Sequence, residues 1–314
     1  MQLIRPDINI DFIGRRKLAI GISALMIIIS LGALAVRGLN FGIDFTGGTL
    51  VEVKFNKVVK IADVRTAISA KGYGNAVIQN FGSAKDILIR VQNKEGDKSS
   101  TISTAILDAL NAKFTANAVE MRRVEFVGPQ VGKELAYDGV MSILIAMLAI
   151  LIYVTFRFEF RFAIGADVAL LHDVTIVIGL FAITGKAFTL PVVAALLTVI
   201  GYSLNDTIVV FDRIRENFAA NHKRKNPLDE ITVVNDSINQ TLSRTLMTSF
   251  TVLLVVAALF VFGGEVIHDF AFAMLAGVLV GTYSSIYVAS PIMLSLAGRF
   301  KSNDDEMRKM EARP

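Results

Sequence analysis

The sequence predicts an α-helical membrane protein with six transmembrane helices and a small α+β, ferredoxin-like extracytoplasmic domain between the first two. Three observations point there. Of the 314 residues, 53% are hydrophobic and only 19% charged, outside the range of ordinary soluble domains. Six apolar stretches, at about 20 residues per crossing, can span a hydrocarbon layer: 18–36, 139–156, 162–183, 190–211, 246–262 and 267–297. Residues 38–138, in contrast, alternate strand-like and helix-like periods.

The chain starts with a basic segment, 1–17, holding Arg5, Arg15, Arg16 and Lys17 ahead of the first span. This span has a signal-peptide look, with Ala33, Leu34 and Ala35 as a cleavage-like triplet, but it exceeds the usual apolar core of about 7–15 residues and reads as a retained helix. Three glycines in 40–49 then allow backbone turns that other residues resist. A phosphate-cradling loop would need a following helix and Gly-Lys-Ser/Thr, so the run reads as a tight turn.

In the outer domain, 49–55 alternates like a half-buried strand, and 61–70 places Val64, Ala67 and Ile68 on one helical face. Two strands, 76–81 and 86–91, follow with Gly82-Ser83 as a hairpin turn. Ile102, Ile106, Leu110 and Phe114 then mark an amphipathic helix, and 119–127 closes with a strand. The order βαββαβ is that of a ferredoxin-like unit. Gly128 to Gly132 breaks the last strand, and 133–138 is expected to begin the helix of the second span.

Orientation follows from Lys and Arg, which remain cytoplasmic in short loops. Arg157 and Arg161 join spans two and three. Arg213, Arg215, Lys223, Arg224, Lys225 and Arg244 lie in a loop, 212–245, between spans four and five. Arg299, Lys301, Arg308, Lys309 and Arg313 fill the tail, 298–314. Both termini are therefore expected in the cytoplasm and the 38–138 domain outside. Within the loop, 231–242 has helical spacing suited to the membrane surface. The net charge of +4 reports this topology, and no basic patch interleaved with aromatics suggests nucleic acid. The chain has no cysteine, which excludes disulfides and thiolate metal sites. In the sixth span Ala273, Gly277, Gly281 and Ser285 recur every fourth residue, a stripe suited to close helix contact within the chain or with a second subunit.

Charged side chains at membrane depth need a partner or a task. Asp206 lies in the fourth span beside Asn205, roughly 8 Å from its inner edge by helical rise. Tyr202, Ser203, Asp206 and Arg213 share one face, with Thr198, Asn205 and Asp212 adjoining. In the third span Asp167 lies near the inner end, and His172 and Asp173 near the middle. Depth makes Asp167 the nearer level to Asp206. Arg244 is the candidate counter-charge: burial disfavours an ionised Asp206 and a nearby guanidinium favours it, so movement of Arg244 would switch its protonation. His residues occur only at 172, 222 and 268, with no metal-ligand spacing. No nucleophile elbow accompanies them, so no enzyme and no cofactor is expected.

Several separated motifs carry a resemblance: 41–49 (Phe-Gly-Ile-Asp-Phe-Thr-Gly-Gly-Thr), 127–132 (Val-Gly-Pro-Gln-Val-Gly), 167–173, 201–217 and 242–245 (Leu-Ser-Arg-Thr). On these the chain resembles the SecF branch of the SecD/SecF family, in the resistance-nodulation-division superfamily. The resemblance implies a twelve-helix pseudo-symmetric unit with SecD in the bacterial inner membrane. That unit would use the proton motive force to help complete protein export begun by the SecA ATPase. It implies as partners SecD, the SecYEG channel, YajC and YidC, the translocating polypeptide and membrane lipid. Asp206 and Arg244 match positions tied to proton conduction; His172, Asp173 and Asn205 complete the candidate set. Two rivals remain: a non-conducting scaffold for the translocon or an insertase, and half of a superfamily drug or lipid exporter.

Overall fold

The computed structural model describes residues 9–93 and 99–296. Arg5, the tail 298–314 and its basic residues lie outside them. Helix α1 (Arg16–Arg37) ends at Gly38, whose φ of 67° is a left-handed conformation. A short strand β1 (Asn40–Phe41) and a single turn α2 (Ile43–Thr46) follow, where a simple tight turn was expected.

The domain then runs β2 (Gly48–Phe55), α3 (Ile61–Ser69), β3 (Val77–Phe81), β4 (Ser83–Val91), α4 (Ser99–Lys113) and β5 (Val119–Val127). Its sheet is antiparallel in the order β3-β4-β2-β5, the ferredoxin-like arrangement. Alternation puts Val51, Val53 and Phe55 of β2 and Ile87 and Ile89 of β4 against Val64, Ile68, Ile102, Ile106 and Leu110 of the two helices. The other face buries Leu50 and Leu88 against Ile43. The central strands are thus covered on both sides, which explains their nearly continuous apolar run.

The bundle follows: α5 (Pro129–Arg157), α6 (Phe160–Thr184), a two-residue strand β6 (Ala187–Phe188), α7 (Leu190–His222) and α8 (Glu230–Phe262). The last helix is composite: α9 (Glu265–Ser284), a π-helical turn at Ser285–Ala289, and α10 (Ser290–Leu296). Among the described residues, six helices are long and apolar enough to cross a membrane. Within their apolar stretches, 61% of α6, 50% of α7 and 61% of the composite helix is buried, against 17%, 11% and 17% of α1, α5 and α8. The first three therefore form the centre.

Two expectations are corrected. Helix α5 begins at Pro129, four residues earlier than expected, because proline at a first helical position loses no hydrogen bond and is already set at helical φ. The 212–245 loop is mostly helix: α7 runs on to His222 and α8 starts at Glu230, so 231–242 is the beginning of the fifth span's own helix and packs on α7. Asn217 donates to Ser237 and Gln240 across this contact, at 2.8 and 3.0 Å. Asn235 and Asn239 of α8 also grip the backbone of Ile10, Phe12 and Ile13, whose apolar side chains at 12 and 13 are buried in the bundle.

The domain is fastened to one end of the bundle. β1 pairs in parallel with β6. Arg37 donates to the Ile183 carbonyl at 2.7 Å, Asn40 to Gly185 at 2.9 Å, and the Gly42 amide to Phe188 at 2.8 Å. Asp44 accepts from the Leu190 amide at 2.8 Å, satisfying an orphan donor at the start of α7. From the sheet, buried Arg90 donates to the Phe41 carbonyl at 2.8 Å. Burial pushes its guanidinium below the ordinary value, opposed by the Asp269 and Asp44 carboxylates.

Glycines hold this junction together. A Cβ on Gly47 would lie 2.8 Å from Pro129 Cα, and one on Gly132 would lie 2.8 Å from the Gly47 nitrogen. The glycine pair and the Gly-Pro-Gln-Val-Gly segment therefore meet backbone to backbone. Gly47→Ala should cost more than Gly38→Ala: both positions have positive φ, but only Gly47 adds overpacking, of about 1–3 kcal/mol. Thermal midpoints of the two purified variants check this, and equal losses would refute it.

At the opposite end Asp229 caps α8, accepting from the Thr232 amide at 3.1 Å and its hydroxyl at 2.6 Å. These bonds hold its carboxyl below the ordinary value. Their contribution is present above the unfolded value of about 3.9 and is lost as pH falls through the lower folded value. The protection of amides in the first turn of α8, measured against unstructured amides at the same pH, should therefore fall on acidification below about pH 4, and Asp229→Ala should show the lower protection already at neutral pH.

Candidate functional site: carboxylates inside the helix bundle

Helix α7 brings Tyr202, Ser203 and Asp206 to one face because they are three and four residues apart. The small-residue stripe of α9 packs on that face: a Cβ at Gly277 would run into Val199, and one at Gly281 would lie 2.9 Å from Ser203 Cβ and 3.5 Å from Asp173 Oδ2. The stripe therefore serves contact within the chain. It lets three helices close around two carboxylates.

Asp173 of α6 is fully buried and tightly held. Its Oδ2 accepts from Ser203 at 2.6 Å and Ser284 at 2.8 Å, and its Oδ1 lies 2.9 Å from His172 Nδ1. The His172 ring stacks on Tyr283 at 6.2 Å, and its Nε2 has no partner among the described residues. Asp206 is 2% exposed and loosely held. Its oxygens accept from Thr248 and Ser249 of α8 only at 3.4 Å, near the limit of a hydrogen bond. Ser249 in turn meets Thr282 of α9 at 2.6 Å and the Tyr202 hydroxyl at 2.9 Å. Thr248 has shorter contacts with its own helix, at the Thr245 and Arg244 carbonyls.

The other expected residues are placed differently. Arg244 is exposed and makes no ion pair with Asp206 among the described residues, though its charge is felt there. Asn205 points outward from the bundle. Asp167 is half-buried with Oδ1 unpartnered among the described residues, and the tie between α6 and α7 runs through Asp173 and Ser203. Sequence reasoning missed Thr248, Ser249, Thr282 and Ser284; their signal was hydroxyl residues recurring in otherwise apolar helices. Among the described residues no group of three His, Cys, Asp or Glu could hold a metal. Ser249, Thr282 and Tyr283 also line a mostly apolar groove of about 570 Å3 between α8 and α9.

Fold and site together define a multi-pass membrane protein with two buried carboxylates in its centre, each held by its own set of hydroxyls, and a ferredoxin-like domain on one end. Residues 106–299 match the family profile described as protein export membrane protein SecD/SecF, C-terminal, and 32–57 match the SecD/SecF GG motif. The protein translocase subunit SecF of Magnetococcus marinus is 54% identical over 94% of this chain and 94% of its own length. That of Escherichia coli O157:H7 is 45% identical over 91% and 87%. The crystal structure of SecDF, a translocon-associated membrane protein from Thermus thermophilus, superposes with a TM-score of 0.83 at 37% identity, covering 95% of this chain. SecDF in its super-membrane-facing form gives 0.68 at 36% identity over 99%. The chain spans 40% and 41% of those two SecDF chains. The chain belongs to the SecD/SecF family of protein export membrane proteins, among the SecF subunits of the protein translocase.

Ser249 joins three partners, so Ser249→Ala should destabilise the protein by about 1–3 kcal/mol through the buried polar groups it strands. Thr251→Ala, which removes an exposed hydroxyl bonded to its own helix at 2.8 Å, is the control and should be near neutral. Thermal unfolding in detergent compares them; equal effects would remove Ser249 from the network.

Proposed function

We propose that this chain, assembled with SecD, couples the proton motive force to late steps of protein export through protonation of Asp206. One observation carries the reading: a carboxylate buried at membrane depth whose hydrogen-bond donors among the described residues stand 3.4 Å away. Such a group gives up less on changing its charge than one held as Asp173 is. Asp173, His172, Arg244 and Asn205 are the remaining proposed proton-coupling residues. Of these, Arg244 acts by its field, and Asn205 has the weakest support because it faces outward.

The basic residues at one end of the bundle support a placement with both termini cytoplasmic, residues 38–138 outside, and the protein in a bacterial inner membrane. The fastened junction supports a domain that follows helix movement. SecYEG, YajC, YidC and the translocating polypeptide are the further proposed partners. One charge crossing 100 mV releases about 2.3 kcal/mol. Throwing a two-state element from 1:99 to 99:1 takes about 5.5 kcal/mol. A single proton driven by voltage alone therefore biases the domain, and a pH gradient or further protons complete the switch.

Asp206→Asn keeps shape while removing the titration. In inverted membrane vesicles containing SecD, after SecA-driven initiation, the variant should lose the gradient-dependent increment in export of a secreted protein while complex assembly stays normal. An unchanged increment would reject proton coupling at Asp206 and leave a non-conducting scaffold.

A further inference from the structure

The composite last helix carries a feature that the two carboxylate sites by themselves do not require. Between α9 and α10 the backbone widens into the π turn Ser285–Ala289, and Ser290 Oγ donates to the Ser285 carbonyl five residues back at 3.0 Å. A π turn inside an α-helix is rare and recurs at functional sites. The two residues before it are tied to different helices. The Tyr283 hydroxyl donates to the Ala19 carbonyl of α1 at 2.8 Å, while Ser284 donates to Asp173 Oδ2 of α6. Ser284, Ser285 and Ser290 are fully buried.

We infer that Ser284 is a positioning residue for proton coupling: it ties the charge on Asp173 to the π turn, so that the register of α10 follows the ionisation of that carboxylate. This rests on the proton-coupling reading above. An ionised Asp173 accepts from His172, Ser203 and Ser284 together, and hydrogen bonds to a charged acceptor are roughly twice as strong as neutral ones. When the carboxylate takes up a proton, the proton stays on a carboxyl oxygen, which becomes a donor and needs an acceptor. A serine that accepts it must turn its own hydrogen away. For Ser284 the alternative is the Gly281 carbonyl, already 3.1 Å away. The hold on the π turn then loses its charge assistance. Closing the turn to α-helix would rotate the segment beyond it by about 100° for the one residue removed from the turn.

There is space for such a rotation. A cavity of about 440 Å3 lies beside α10, lined by Pro291, Leu294 and Ser295 and by Arg16, Asp229 and Ile231 at the starts of α1 and α8. The titratable groups turned toward this part of the bundle are His172 and Asp167 on α6, Tyr202 and Asp206 on α7, and Tyr283 on α9, with Tyr287 in the π turn. From the start of α1 the facing groups are Arg15, toward Tyr287, and Arg16, toward α10, with the hydroxyl Ser23 further along; from the start of α8 they are Asp229 and Glu230, then Thr245, Thr248 and Ser249, with the field of Arg244.

The natural chain has no cysteine, so a single thiol reports on α10. Ser295→Cys is exposed on α10, and Ala219→Cys, exposed on the part of α7 that runs beyond its apolar span, serves as the reference thiol. The ratio of their maleimide labelling rates is measured against pH in vesicles holding the complex with SecD, without a gradient. The ratio should change several-fold with pH. Ser284→Ala and Asp173→Asn should each flatten it, and Ser284→Thr should restore it. A ratio that does not vary with pH, or one that Ser284→Ala leaves unchanged, overturns the inference. Because no export is read, this failure is distinct from that of Asp206→Asn in the export assay. A Ser284→Ala chain too unstable to assemble is replaced by Ser203→Ala, which keeps the Ser284 tie and should shift the midpoint of the ratio; an unshifted midpoint also overturns it.

Discussion

Within a hydrocarbon layer no water is available to satisfy a carboxylate, so every charged or polar atom there must find its partners on neighbouring helices. The centre of this bundle is arranged around that constraint. Asp173 collects a donor from each of three helices, which is possible only because Gly281 presents no side chain between α7 and α9. The burial of α6, α7 and the composite helix, the small-residue stripe and the two sets of hydroxyl donors are aspects of one solution. Removing any of them would leave a buried charge without its donors.

The same constraint separates the two carboxylates. Three short bonds make Asp173 a fixed point that sets where α6, α7 and α9 stand relative to one another. Asp206, one turn along α7 from Ser203, rests against hydroxyls already engaged elsewhere: Ser249 with Thr282 and Tyr202, Thr248 with carbonyls of its own helix. A rigid anchor beside a lightly coordinated acid gives a local charge change something to act against. The junction with the ferredoxin-like domain is equally firm, with backbone hydrogen bonds, the Asp44 cap and Arg90 all converging on residues 183–190 and β1.

Much of this was legible in the sequence. Six apolar runs set the class, and the change between short apolar runs and helical spacing in 38–138 set the βαββαβ order, although the central strands, covered on both faces, are nearly continuous in apolar residues. Asp173 and Asp206 stood out because a charge in an apolar run is costly wherever the helix packs. Their partners did not stand out, for a physical reason: in an apolar helix Thr and Ser bond equally well to a carbonyl of their own preceding turn, as Thr175 and Thr198 do here. Only the approach of a second helix distinguishes Ser249 from those. Hydropathy also ended α7 and delayed α8 too close to the apolar core, since a helix that leaves the membrane keeps its hydrogen bonds while its side chains turn polar. The π turn has no mark in composition at all.

The grip of Asn235 and Asn239 on the chain's first described residues has a consequence for biosynthesis. These asparagines follow the backbone atoms they hold by 222 to 229 residues. At ~5–20 residues per second, a ribosome needs on the order of 10–45 s to deliver them. Through that interval Phe12 and Ile13 have no α8 to pack against, although α1 beside them is complete. The amino-terminal segment is thus synthesised early and seated late. Its capture marks the point at which the first and fifth spans have found each other.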